Sequence, residues 1–107
     1  ASREFLYAPD CAEAIKLAIQ KDVGPEPINI GTGKEIKIID LAETIADLMS
    51  FNGTIFFDSS KPDGQPRRCL DTTRAKERLG FEATTDLETG IKSTIEWFWK
   101  QTMKGVI

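Results

Sequence analysis

The sequence predicts a small mixed α/β domain of about four helices and three short strands. Three observations carry that prediction. Apolar residues recur at helical spacing over residues 38–49 and again over 87–98. Short runs of β-forming residues, Thr54-Ile55-Phe56-Phe57 above all, lie between the helical stretches. Turn formers such as Gly24-Pro25-Glu26-Pro27, Asn52-Gly53 and Gly80 separate the segments.

In chain order, Glu4-Phe5-Leu6-Tyr7 reads as a strand that stops at Pro9. Asp10 is placed to N-cap a helix whose apolar stripe is Cys11, Ala14, Ile15, Ala18 and Ile19. Ile28-Asn29-Ile30 is the second strand and runs into the turn Gly31-Thr32-Gly33. The next helix carries Ile38, Leu41, Ala42, Ile45, Ala46, Leu48 and Met49 on one face. Lys37 stands where a capping Ser or Thr is usual, so this N-terminus lacks a side-chain acceptor. Residues 54–57 form the third strand, and a polar loop follows from Asp58 to Arg68 with the tight-turn sequence Lys61-Pro62-Asp63-Gly64. Asp71 caps a short helix that ends at Leu79, with Gly80 as its stop. Thr85 and Glu88 have capping-box spacing before the last helix, whose core face is Leu87, Ile91, Ile95 and Phe98. Glu88, Lys92, Glu96 and Lys100 step along its solvent face. Trp97 and Trp99 diverge by roughly 200° on a helix, so they cannot share one core. One of them covers a neighbouring domain or is simply exposed.

Composition narrows the chemistry. The 107 residues give room for one domain, 1–107. There is no histidine, which excludes Ser-His-Asp triads, Cys-His pairs and histidine-ligated zinc within the chain. Cys11 and Cys69 lack metal-like spacing, and Cys11, on an apolar helix face, reads as a small buried hydrophobe. A net charge of −3 argues against nucleic acid as a partner. No apolar run has membrane-spanning length and the N-terminus has no secretory segment, so the expectation is a cytoplasmic protein without a membrane partner.

Gly31-Thr32-Gly33-Lys34 invites a phosphate-loop reading, but the Walker spacing is absent and Ile36 occupies the place of a third dinucleotide-loop glycine. A structural turn is the favoured reading. Arg67 and Arg68 follow a Pro- and Gly-rich turn, and guanidinium groups suit bidentate contact with phosphate oxygens; a solvated surface pair is the alternative.

Four stretches then fall in register. They are Arg3-Glu4-Phe5-Leu6-Tyr7 with Asp10, Ile28-Asn29-Ile30-Gly31-Thr32-Gly33, residues 61–68, and Leu70-Asp71-Thr72-Thr73. Together they resemble the extended short-chain dehydrogenase/reductase family, in its NAD-dependent epimerase/dehydratase branch, with the GDP-L-fucose synthases as the most similar group. The resemblance implies the C-terminal, nucleotide-sugar-binding subdomain of such an enzyme, without its Rossmann domain. That absent domain would carry the glycine-rich NAD or NADP loop and the catalytic Tyr and Lys. The chain has no YxxxK, and its one tyrosine, Tyr7, has Cys11 four residues on.

By the same resemblance Arg3 and Arg68 stand at positions that contact the nucleotide diphosphate. No residue of this chain is assigned to catalysis, cofactor or metal. The implied partners are a nucleotide-sugar (a GDP-sugar favoured), the chain's own Rossmann domain, and a second copy of the full-length enzyme in a homodimer. The isolated chain is expected to be inactive. A stand-alone, non-catalytic nucleotide-sugar-binding or interaction module is the rival reading.

Overall fold

A computed structural model describes residues 1–62 and 64–105. Asp63, within the expected 61–64 turn, lies outside the described residues. The elements in chain order are β1 (Ser2–Arg3), α1 (Ala8–Gln20), β2 (Ile36–Lys37), α2 (Ile38–Leu48), α3 (Thr73–Leu79) and α4 (Leu87–Met103). The mixed α/β class and the four helices agree with the sequence pattern. The strands do not. Residues 4–7, 28–30 and 54–57 form none; β1 and β2 pair antiparallel instead, Ser2 with Lys37 and Arg3 with Ile36. Propensity selects residues suited to extended chain, but a strand also needs an edge to pair with, and among the described residues β1 and β2 form the one ladder, with a single further bridge between Ser2 and Arg67.

The core lies between α1 and α3, where Ala14, Ala75, Leu79 and Phe81 are buried and Leu6, Leu17, Val23, Ile28, Ile30 and Ala83 pack around them. Residues 28 and 30 thus serve as core side chains without joining a sheet. α1 begins at Ala8, two residues ahead of the expected cap, because Pro9 fits the first helical turn, where its missing N–H has no partner to lose. Asp10 is then inside the helix. Its buried carboxylate accepts hydrogen bonds from the Thr85 amide (3.1 Å), the Thr85 hydroxyl (3.2 Å) and the Thr84 hydroxyl (3.5 Å). These bonds replace the expected capping box: Asp86 is the N-cap of α4 and makes no side-chain cap. The α1 stripe also differs from expectation, since Ala14 is buried and Leu17 half-buried while Ile15, Ala18 and Ile19 are exposed. Cys11 is half-buried.

Lys37 is the N-cap of α2 and makes no side-chain cap, as its sequence predicts. α3 ends at Gly80 in the left-handed conformation (φ 67°), and the Lys21 ammonium donates to the Leu79 carbonyl at 2.9 Å. Asp71 stands one residue before the N-cap Thr72 and accepts from the Thr73 amide at 3.0 Å, so it performs its expected role from one position further out. α2 packs on α4. Gly90 of α4 is buried under the Tyr7 ring, which would lie 3.3 Å from an added Cβ. A cavity of about 410 Å³ opens between Phe5, Tyr7, Ile45, Ile91, Ile95 and Phe98. Trp97 and Trp99 are both exposed, and Trp99 meets Phe98 edge-on at 5.3 Å. No helix among the described residues is long and apolar enough to cross a membrane.

Candidate functional site

Arg3 and Arg68 are 65 positions apart, yet one backbone oxygen ties them together. The Ser2 carbonyl accepts from Nη1 of Arg3 at 2.6 Å and from the Arg68 amide at 3.3 Å. The Ser2 amide in turn donates to the Pro66 carbonyl at 2.9 Å, and Ser2 forms a parallel bridge with Arg67. The 64–68 loop is therefore laid along β1 as a further extended segment, on the opposite side from β2. Arg3 also reaches over the loop's turn, with Nη2 3.9 Å from the place a Cβ would take at Gly64. Gly64 has φ 72°, a left-handed conformation that suits glycine.

The adjacent arginines differ in their partners. Nε of Arg67 donates to Oε1 of Glu35 at 2.5 Å, and the Ser2 hydroxyl donates to Oε2 of the same carboxylate at 2.8 Å. The Ser2 hydrogen bond, followed by the bond and charge of Arg67, holds the Glu35 carboxyl below its ordinary range. Nε of Arg68 donates instead to the neutral Oε1 of Gln65 at 2.9 Å. Among the described residues neither Arg3 nor Arg68 pairs with a carboxylate. Within the described residues their positive charge is thus not balanced by a carboxylate, whereas that of Arg67 is.

The Gly31-Thr32-Gly33 turn is also accounted for. Oε2 of Glu4 accepts from the Thr32 amide (3.0 Å), the Gly33 amide (2.9 Å) and the Thr32 hydroxyl (3.4 Å). Oε1 of Glu4 accepts from the Leu70 amide at 2.6 Å. Successive amides in such a turn form an anion-binding concavity, and here an internal carboxylate occupies it. The turn's amides are thus engaged within the chain, by Glu4.

Sequence reasoning selects Arg3 and Arg68, and the fold brings their chain segments together. It misses Ser2, Glu4, Glu35 and Gln65. An acidic residue directly after Arg3 and a glycine-rich turn in need of an anion are the available signals for Glu4.

Residues 1–94 match the family described as GDP-mannose 4,6 dehydratase. The chain belongs to that family. Within it, the chain is similar to the GDP-L-fucose synthase of Sinorhizobium fredii, at 41% identity over 97 residues that cover 91% of this chain and 31% of that protein. Among solved structures it is similar to the UDP-glucose 4-epimerase of Thermotoga maritima determined with UDP-glucose. The TM-score there is 0.86 at 31% identity, over 94% of this chain and 32% of that one. The enzyme WbmF of Bordetella bronchiseptica, in complex with NAD+ and UDP, gives a TM-score of 0.79 at 28% identity, over 96% of this chain and 31% of that one. The family likeness and the fold of an extended short-chain dehydrogenase/reductase are thus common to all these comparisons. The chain spans about a third of the length of the relatives it matches.

Proposed function

We propose that this chain is the substrate-binding part of a nucleotide-sugar epimerase, reductase or dehydratase, and that Arg3 and Arg68 grip the substrate's diphosphate. The observation that carries the reading is the shared Ser2 carbonyl, which sets Arg3 beside the Arg68 backbone while Arg67 turns away to Glu35. Two cations without a carboxylate partner among the described residues, borne on segments fixed to each other, match a dianion with several oxygens to satisfy. Because the dehydratase family and the fucose-synthase relative both take GDP-linked names, a GDP-sugar is the favoured ligand. NAD or NADP would be held by the rest of the protein, since the glycine turn here is filled by Glu4. This chain's part is binding and orientation, in a cytoplasmic homodimer of the full-length enzyme.

Titrating GDP and UDP into the full-length protein tests the reading. Arg68→Ala and Arg3→Ala should each weaken both nucleotides by a similar factor, because the diphosphate is common to them. Removing a charge-assisted hydrogen bond from a cleft costs about 1.5–3 kcal/mol, roughly tenfold or more in affinity. The effect should shrink as salt rises. Unchanged dissociation constants for both nucleotides would contradict the assignment and favour a non-catalytic module with another ligand.

A further inference from the structure

Glu4 joins three remote parts of the chain through one carboxylate: residue 4 itself, the turn at Thr32 and Gly33, and the Leu70 amide. The position of Glu4 makes that junction consequential. Arg3 precedes it directly, and Arg68 lies two residues before Leu70. The segments bearing the two arginines are joined by the Ser2 amide to the Pro66 carbonyl (2.9 Å), by the Arg68 amide to the Ser2 carbonyl and, through side chains, by Glu35 and Glu4; on the far side of Arg68 the tie at Glu4 is a short and charged one. The Leu70 amide lies 2.6 Å from its Oε1, against 3.3 Å from the Arg68 amide to the neutral Ser2 carbonyl. Gly31 keeps room for it, since a Cβ there would stand 2.7 Å from Oε2 of Glu4. Each Glu4 oxygen faces a backbone donor of this chain, so the carboxylate acts inward and not on a ligand.

We infer that Glu4 is a positioning residue for diphosphate binding, fixing where Arg68 stands relative to Arg3. This rests on the diphosphate reading above. Glu4→Gln removes the charge and sets an NH2 donor among donors, so the 70 segment loses its anchor and Arg68 loses its register. A residue that acts only through general stability would lower affinity independently of Arg68. A residue that positions Arg68 has little left to take away once Arg68 is gone.

The experiment is a double-mutant cycle on GDP binding in the full-length protein, with Arg68→Ala, Glu4→Gln and the pair. Each single change is expected to raise the GDP dissociation constant roughly tenfold, and Arg68→Ala should cost less than about threefold in the Glu4→Gln background. Phe81→Leu, in the core between α1 and α3, serves as the stability control: it should lower Tm and leave the Arg68→Ala factor at its wild-type size. If Glu4→Gln does not fold, Glu4→Asp takes its place, keeping the charge but falling one methylene short, with the same non-additivity expected. A Glu4 variant with wild-type GDP affinity, or effects that simply multiply, overturns the inference while leaving the diphosphate reading intact. An Arg68→Ala protein that binds GDP as the wild type does overturns the diphosphate reading, and the role of Glu4 with it.

Discussion

Glu35 accepts a 2.5 Å hydrogen bond from Nε of Arg67, which makes two neighbouring arginines unlike each other. The same carboxylate takes the Ser2 hydroxyl, so Glu35 anchors the 64–68 loop to β1 from the β2 side. Arg67 is consumed in building the platform. Arg68, one residue on, donates through Nε to the neutral Gln65 and, among the described residues, meets no carboxylate. A pair that looks redundant in the sequence is divided by a residue 32 positions earlier.

That anchor should be acid-sensitive. The folded-state pKa of Glu35 lies below its unfolded value, because the Ser2 hydroxyl and then Arg67 favour the ionised form. Its contribution is therefore fully present above the ordinary carboxylate pKa and disappears as pH falls through the lowered one. The group is exposed and the effect on global stability is small, so an NMR titration is the suitable readout. The Glu35 carboxyl should titrate below the ordinary glutamate value, and Arg67→Ala should bring it part of the way back. A wild-type Glu35 titrating at the ordinary value would show that the anchor does not hold in solution.

Two glycines should respond differently to alanine. At Gly31 a Cβ meets Glu4 Oε2 at 2.7 Å and the Leu70 side chain at 3.1 Å, so Gly31→Ala should destabilise by about 1–3 kcal/mol through overpacking. At Gly24, with φ 72° and open space around it, alanine suffers only the backbone penalty of about 1 kcal/mol. Denaturant unfolding of both variants checks the order. A larger destabilisation at Gly24 than at Gly31 would contradict the packing around Glu4.

Asp10 should matter more than a surface carboxylate. It is buried, and three hydrogen bonds from Thr84 and Thr85 fix the start of α4 against α1. Asp10→Asn turns one acceptor into a donor and should cost about 1–3 kcal/mol by urea unfolding. Thr85→Val, which removes one donor and leaves the backbone bond, should cost less. Equal stability of Asp10→Asn and the wild type would mean that the α1–α4 junction is held by other interactions.

The parts legible in the sequence are those governed by neighbours along the chain. The apolar stripe over residues 38–49 matches α2 (Ile38–Leu48), and the Leu79-Gly80 stop matches the end of α3, because periodicity and left-handed glycine are local properties. Pairing is not local. The β-formers at 54–57 find no edge, and the sheet is made by Ser2–Arg3 and Ile36–Lys37, four residues with no alternating pattern to announce them. The start of α1 is ambiguous in the sequence because Pro9 can open a helix as well as end a strand. At the site, Arg3 and Arg68 are visible through the family motif. Glu4 and Glu35 are not, because each acts on segments 28 or more positions away.

The comparison of Arg68→Ala with Arg67→Ala tests the central claim most directly, by GDP titration of the full-length protein at low salt. Both variants remove one positive charge from adjacent positions, so long-range attraction falls equally in the two. Arg68→Ala should raise the GDP dissociation constant roughly tenfold and Arg67→Ala, whose charge Glu35 already balances, clearly less. Equal rises in the two variants, or a larger one at Arg67, would contradict the division of labour on which the proposed diphosphate site depends.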